Sequence, residues 1–296
     1  MQILSRVSAA TALCLVATSA SAGVVLANNP AGDAFNGGLF NLNQGQAVGA
    51  SGWYYNNVRN GGTVGIDDVY ARSGNGSVFL KGTAGPGGFS SKGDIEYLSG
   101  ATSHLLTGAW SGTTSLGLFS QFSGMRYDWY RDSASTNNAA QHPVLRILLD
   151  RDGKLNTTDD RGGLVFERAY NGASVAPTNQ WLSDVVGGST NLWSFGMGFA
   201  GLDPDGGSAY DSSLAEWQAA LRNAKILGFS AGFGSGWGPF QGAVDNIGWT
   251  INGVATTTNF EARPDVGPGP SAVPEPGSLA LIGLGLGLLG FARRRG

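Results

Sequence analysis

Between residues 24 and 261 the apolar positions come in short runs separated by glycine. Segment 125–131 alternates, with Met125, Tyr127 and Trp129 on one face and polar or charged neighbours between them. Segment 192–199 alternates too, with Trp193, Phe195, Met197 and Phe199 on one side. Segments 76–81, 144–149, 164–167, 226–233 and 243–251 are apolar runs of strand length bounded by turn residues. This pattern predicts an all-β domain over residues 23–261, an antiparallel β-sandwich. One stretch, 211–225, has a helical period instead. Leu214, Trp217 and Leu221 share a face, and Ser213 and Glu216 have capping-box spacing. Lys225 near its carboxyl end and the stop residue Gly228 complete that helix.

The two ends break the pattern. Residues 1–22 begin with Arg6, continue with an apolar core from Val7 to Ala17, and close on Ala20-Ser21-Ala22. That is a secretory signal peptide, with Ala20 and Ala22 marking the signal peptidase cleavage site. Residues 262–272 form a Pro/Gly linker. Beyond it, Val273-Pro274-Glu275-Pro276 leads into an apolar, glycine-interrupted run from Leu279 to Ala292, and Arg293, Arg294 and Arg295 follow. The run is short for a membrane span, which needs about 20 residues. Arginines beside an apolar segment stay cytoplasmic. The ends therefore agree on one topology: domain outside, arginines inside, a short transmembrane helix between.

Pro274, Glu275 and Pro276, the apolar helix and the Arg cluster together resemble the PEP-CTERM sorting signal, over residues 273–296. The resemblance implies an exported protein of a Gram-negative bacterium, anchored transiently in the inner membrane and recognised by exosortase near Pro-Glu-Pro. It also implies a cell-surface, outer-envelope or matrix destination, linked to exopolysaccharide and biofilm. It says nothing about the chemistry of the domain.

Composition narrows that chemistry by exclusion. The 296 residues carry a net charge of -3 and only 13% charged residues, against about 25% in ordinary domains. Lys and Arg are scattered, which excludes a nucleic-acid partner. The one cysteine lies in the signal peptide, so the exported domain has no disulfide and no thiolate metal site. The two histidines, His104 and His142, show no metal spacing, and no G-x-S-x-G occurs. Gly232–Gly238 lacks Lys-Ser/Thr and is no phosphate loop. The expectation is a non-catalytic protein.

Residues 242–251, with Asp245-Asn246, and the Asn-Phe-Glu of 259–261 resemble the closing strands of extracellular jelly-roll sandwiches of the carbohydrate-binding-module type. In that group the Asp-Asn pair lies where the last strand meets a loop. The pair is equally consistent with plain turn chemistry. Three further features carry candidate chemistry. Asp150, Asp152, Asn156, Asp159 and Asp160 converge on a loop between two strands, a candidate structural Ca²⁺ site, since Ca²⁺ takes 6–8 oxygens in irregular loops. Asp203, Asp205 and Asp211 form a weaker one, Asp211 also being a natural helix N-cap. Trp53, Tyr54 and Trp237 lie in Gly- and Asn-rich contexts suited to stacking on sugar rings. Glu96 and Glu167 sit in strand segments, but two-carboxylate glycoside hydrolysis needs a pair roughly 5–10 Å apart, and spacing does not establish one. The first reading is association with exopolysaccharide without turnover. A glycoside-active enzyme (hydrolase or lyase) and a purely structural surface protein are the alternatives.

Overall fold

A computed structural model describes residues 21–38, 44–84, 91–100 and 112–263. The chain divides after Arg263, with residues 264–296 forming a separate unit. The expected transmembrane helix and the sorting motif fall outside the described residues. No helix among the described residues is long and apolar enough to cross a membrane.

Among the described residues, sixteen strands form two sheets. In chain order they are β1 (Ser21–Leu26), β2 (Phe35–Asn36), β3 (Gln44–Ala47), β4 (Trp53–Arg59), β5 (Thr63–Asp67), β6 (Ser77–Gly82), β7 (Lys92–Leu98) and β8 (Gly117–Leu118). Then follow β9 (Phe122–Arg131), β10 (Val144–Asp150), β11 (Arg161–Phe166), β12 (Trp181–Val186), β13 (Trp193–Phe195), β14 (Lys225–Phe233), β15 (Phe240–Ile251) and β16 (Val254–Glu261). The predicted sandwich is observed. Its one departure from antiparallel pairing is β1, which lies parallel to β16.

The first sheet is organised by β15. Strand β9 runs along one of its edges from Gly242 to Ile251. The other edge is shared, β6 pairing with 240–244 and β16 with 247–251. Where β6 gives way to β16, the register against β9 slips between Asp245 and Gly248, and Asn246 takes a φ of 50°. The Asp245-Asn246 pair therefore lies at a mid-strand bulge, not where the last strand meets a loop. Asp245 accepts the Phe260 N–H, and Asn246 donates to Ser73 Oγ and Asp128. Burial pushes the Asp245 carboxyl up to about 7.

The second sheet runs β13-β11-β10-β14-β7-β4-β3, with β8 paired to the first residues of β14. Alternation divides its residues. Trp53, Tyr55, Ile95, Leu145, Ile147, Phe229 and Ala231 join the core against the first sheet, where Met125, Tyr127 and Trp129 are buried as their spacing predicts.

Two expected elements are shorter than their patterns. Segment 192–199 is β13 followed by a 3₁₀ turn, Met197–Phe199. Gly196 breaks it, with φ of 93° and a would-be Cβ only 2.7 Å from Gly162 Cα. The helix is α1 (Leu214–Ala220), with the expected Ser213/Glu216 capping box. Asp211 is not its N-cap, and Lys225 and Gly228 belong to β14, because the chain leaves the helix at Leu221 to enter the sheet. Trp217 is buried and its indole N–H donates to Leu192 O.

The domain also extends past the boundary read at Glu261. Ala262 is buried, and Arg263 donates to Ala27 O. Ala20 lies outside the described residues. Ala22 lies in β1 opposite Thr257, so cleavage after it leaves Gly23–Leu26 as the strand.

Candidate functional site

On the face of the second sheet turned away from the core lies a cleft of about 580 Å³. Strand register builds its floor. Glu96 of β7 lies opposite Ser230 of β14, Ser230 opposite Arg146 of β10, Arg146 opposite Val165 of β11, and Val165 opposite Trp193 of β13. The next row joins Asn56, Asp94, Gly232 and Val144. Gly232 is required there, since a Cβ would stand 2.3 Å from Asp94 Oδ1.

That opening lets opposite charges meet across three strands. Arg146 Nη1 lies 2.8 Å from Asp94 Oδ1, and Lys92 Nζ lies 2.6 Å from Asp94 Oδ2. Asn56 and Asn57 donate to the two oxygens of Glu96 at 2.7 and 3.0 Å. Asp94 and Glu96 are each 1% exposed and Arg146 8%, so these charges interact in a poorly solvated space where pairing decides protonation. Burial pushes Asp94 up, but Arg146 and Lys92 outweigh it and hold the carboxyl below its ordinary value. Burial and the Asp94 charge push Glu96 up to about 8. Two carboxylates on one strand face thus have their protonation driven apart.

The rim is aromatic. Tyr170, Trp193, Phe195 and Trp237 line the cleft with Gln141 and Glu167. Tyr170 is 37% exposed and stacks on Tyr210 at 4.3 Å, and Trp193 meets Tyr210 edge-on. Burial also raises Glu167. Glu96 and Glu167 share the cleft, but three interstrand steps of roughly 4.8 Å and an offset of two residues along the strands put their backbones about 16 Å apart.

The protonation of Glu96 yields a pH prediction. An unfolded chain ionises this carboxyl near 4.5, the folded chain near 8. Its contribution is fully present below the unfolded value and is lost as pH rises toward the folded one. Glu96→Gln, neutral at every pH, is expected to match the parent in acid and to exceed it in melting temperature at and above neutrality. Melting curves across this window check it, and parallel curves for the two proteins contradict it.

Of the three stacking candidates, Trp53 is corrected. It is 2% exposed and packs against Tyr97, Trp249 and Phe260 in the core, on the sheet face opposite the cleft. Tyr54, on the opposite face, is half-buried against Leu98, Leu148 and Leu227 beside the cleft. Trp237 lines the cleft but is itself buried edge-on to Phe240. The Gly-rich segment leading to it continues from β14 into the cleft rim.

The acidic loops divide similarly. Asp150, Asp152 and Asp160 offer oxygens within 4.8 Å of one another. Asp159 is outside this group and exposed, because Asp160 turns inward to enter β11 and alternation turns its neighbour out. Asn156 is exposed as well. Asp203, Asp205 and Asp211 also converge, but they are occupied by turn bonds to Ser212, Gly207 and Ser208. His142 is buried against Trp129, and burial holds it neutral by lowering its pKa to about 3. His104 is outside the described residues. The sequence reading missed Asn56, Asn57, Lys92, Asp94, Arg146, Tyr170 and Trp193. Alternating charges in 92–96 within an apolar context were the one available signal.

No curated protein matches the sequence. Among solved structures, the chain is similar to "Cellulose induced protein, Cip1", with 17% identity, a TM-score of 0.33, and coverage of 64% of this chain and 86% of that one. It is also similar to "Native family 12 xyloglucanase from Bacillus licheniformis", with 12% identity, a TM-score of 0.41, and coverage of 75% and 100%. At the C-terminus, residues 272–295 match the family model described as PEP-CTERM protein-sorting motif. The chain is thus a two-sheet β-sandwich that carries a PEP-CTERM sorting motif, and with it the mark of an exported, membrane-anchored precursor processed by exosortase.

Proposed function

We propose that the exported domain binds exopolysaccharide at the cell surface or in the matrix through the cleft on the second sheet, without turning it over. The observation that carries this reading is the pairing of a polar floor, Asn57, Asp94, Glu96 and Arg146, with the half-exposed aromatic rim of Tyr170 and Trp193. Sugar rings present apolar faces for stacking and hydroxyls for fixed donors and acceptors, and a site of this composition offers both. The sorting motif supports the destination.

Co-sedimentation with the producing cell's own exopolysaccharide tests it. Saturable binding of an intact polymer is expected, weakened at least tenfold, about 1.4 kcal/mol, by Tyr170→Ala or Trp193→Ala. Binding that ignores both changes would overturn the cleft assignment. A second reading rests on one observation: Asp94 and Glu96 have protonation driven apart, the condition for dividing base and acid roles between two carboxyls. Under that reading the polymer is shortened, and Glu96→Gln stops the shortening while the protein still folds.

A further inference from the structure

The hairpin joining β10 to β11 holds a second polar cluster, outside the cleft. Asp150 ends β10 and is 0% exposed; Asp160 immediately precedes β11 and is 6% exposed. Each has one oxygen held by the protein. Asp150 Oδ2 accepts from Arg161 Nε at 3.2 Å, and Asp160 Oδ2 accepts from the Asp152 N–H at 2.7 Å. The remaining oxygen of each, Oδ1, is buried with no hydrogen-bond partner among the described residues. Asp152 stands at the solvent edge of the same cluster, where Lys154 pairs with it at 2.7 Å.

Buried carboxylate oxygens without donors are costly, and the Arg161 guanidinium with the exposed Lys154 ammonium leaves three converging carboxylates one charge short. A divalent cation supplies the missing charge and bonds both orphaned oxygens at once. The donors are all oxygen, which selects a hard cation. They come from an irregular hairpin, which suits the flexible coordination of Ca²⁺ better than the near-ideal octahedron of Mg²⁺. We propose that Asp150, Asp152 and Asp160 bind Ca²⁺, with water completing the shell.

The site has a mechanical role. Between its ligands the hairpin carries Leu155, which packs against the cluster of Leu98, Leu148 and Leu227, as Tyr54 and Phe195 also do. Leu148 and Phe195 also line the cleft. Arg161, already paired with Asp150, donates to Leu155 O at 3.0 Å and Gly112 O at 2.9 Å. The cation therefore fixes a hairpin packed against the apolar cluster that reaches the cleft through Leu148 and Phe195. The binding site itself does not depend on what the cleft holds.

The test uses the purified full-length protein, stripped with a chelator and titrated with CaCl₂ by calorimetry, with thermal melts in parallel. One bound Ca²⁺ is expected, with affinity in the range of extracellular modules, about 10⁻⁴–10⁻³ M, and a higher melting temperature that MgCl₂ reproduces only weakly. Asp150→Asn and Asp160→Asn abolish both signals. Asp152→Asn, at an exposed position that does not endanger folding, weakens binding at least tenfold and leaves the Ca²⁺-free melt unchanged. Absence of both heat and thermal shift at millimolar Ca²⁺, or Asp152→Asn binding as tightly as the parent, overturns the proposal.

Discussion

Trp53→Ala is expected to destabilise the domain by about 3–5 kcal/mol, the usual cost of emptying a large aromatic site in a core. For a domain of this size that lowers the melting temperature by about 10 °C. The reason is position. The Trp53 ring contacts Phe260 edge-on at 4.9 Å, Tyr97 at 5.5 Å and Trp249 at 6.0 Å, so it joins β4 and β7 of one sheet to β15 and β16 of the other. Little can collapse into the space left among such rings. The informative comparison is Trp193→Ala, on the outer face. There the melting temperature is expected to change little and polysaccharide binding to fall. Chemical denaturation of both variants, with binding measured well below their melting points, separates the roles. A Trp53 variant that stays stable but loses binding would reverse the assignment of faces.

Arg146→Ala is expected to lose about 3–5 kcal/mol at neutral pH, because it leaves the buried Asp94 short of a partner rather than removing a pair. Lys92 remains, and although the repulsion from Arg146 is gone, burial still lowers its pKa and makes it a weaker counter-charge than an ordinary lysine. Asp94 has a depressed pKa in the folded chain, so its contribution is present above the unfolded value and lost as pH falls through the folded one. Removing Arg146 removes that contribution. The loss should therefore shrink in acid, where both carboxyls can take protons. Replacing Arg146, Asp94 and Lys92 together by leucine should recover much of the stability and none of the binding. Urea unfolding in acidic and neutral buffer measures this. An equal loss at both pH values would show that packing of the Arg146 side chain, and not its charge, supports the floor.

Both predictions concern residues whose local sequence was readable and whose partners were not. Segment 53–55 alternates by strand geometry, so Trp53 and Tyr55 must share a face with Tyr54 opposite. Nothing in those residues says which face meets the other sheet. Glu96 was recognised as a strand residue, yet its neighbours in the cleft come from β4, β14 and β10, far away in the chain. The capping box of α1 was legible because Ser213 and Glu216 are three residues apart, whereas the helix end was not, since Lys225 was taken up by pairing with Leu118 and Asp150.

By itself the sequence determined what depends on short-range order: the sorting motif, the all-β class, most strand positions and the acidic hairpin. These rest on periodicity, composition and spacing within a few residues, where steric and solvation preferences act directly. Only the tertiary structure decided which tryptophan is core and which is rim, which three of the five loop ligands meet, and that Asp94, Glu96 and Arg146 share one floor. Such juxtapositions are set by lateral register across a sheet, and register is fixed by how the buried faces of two sheets fit together.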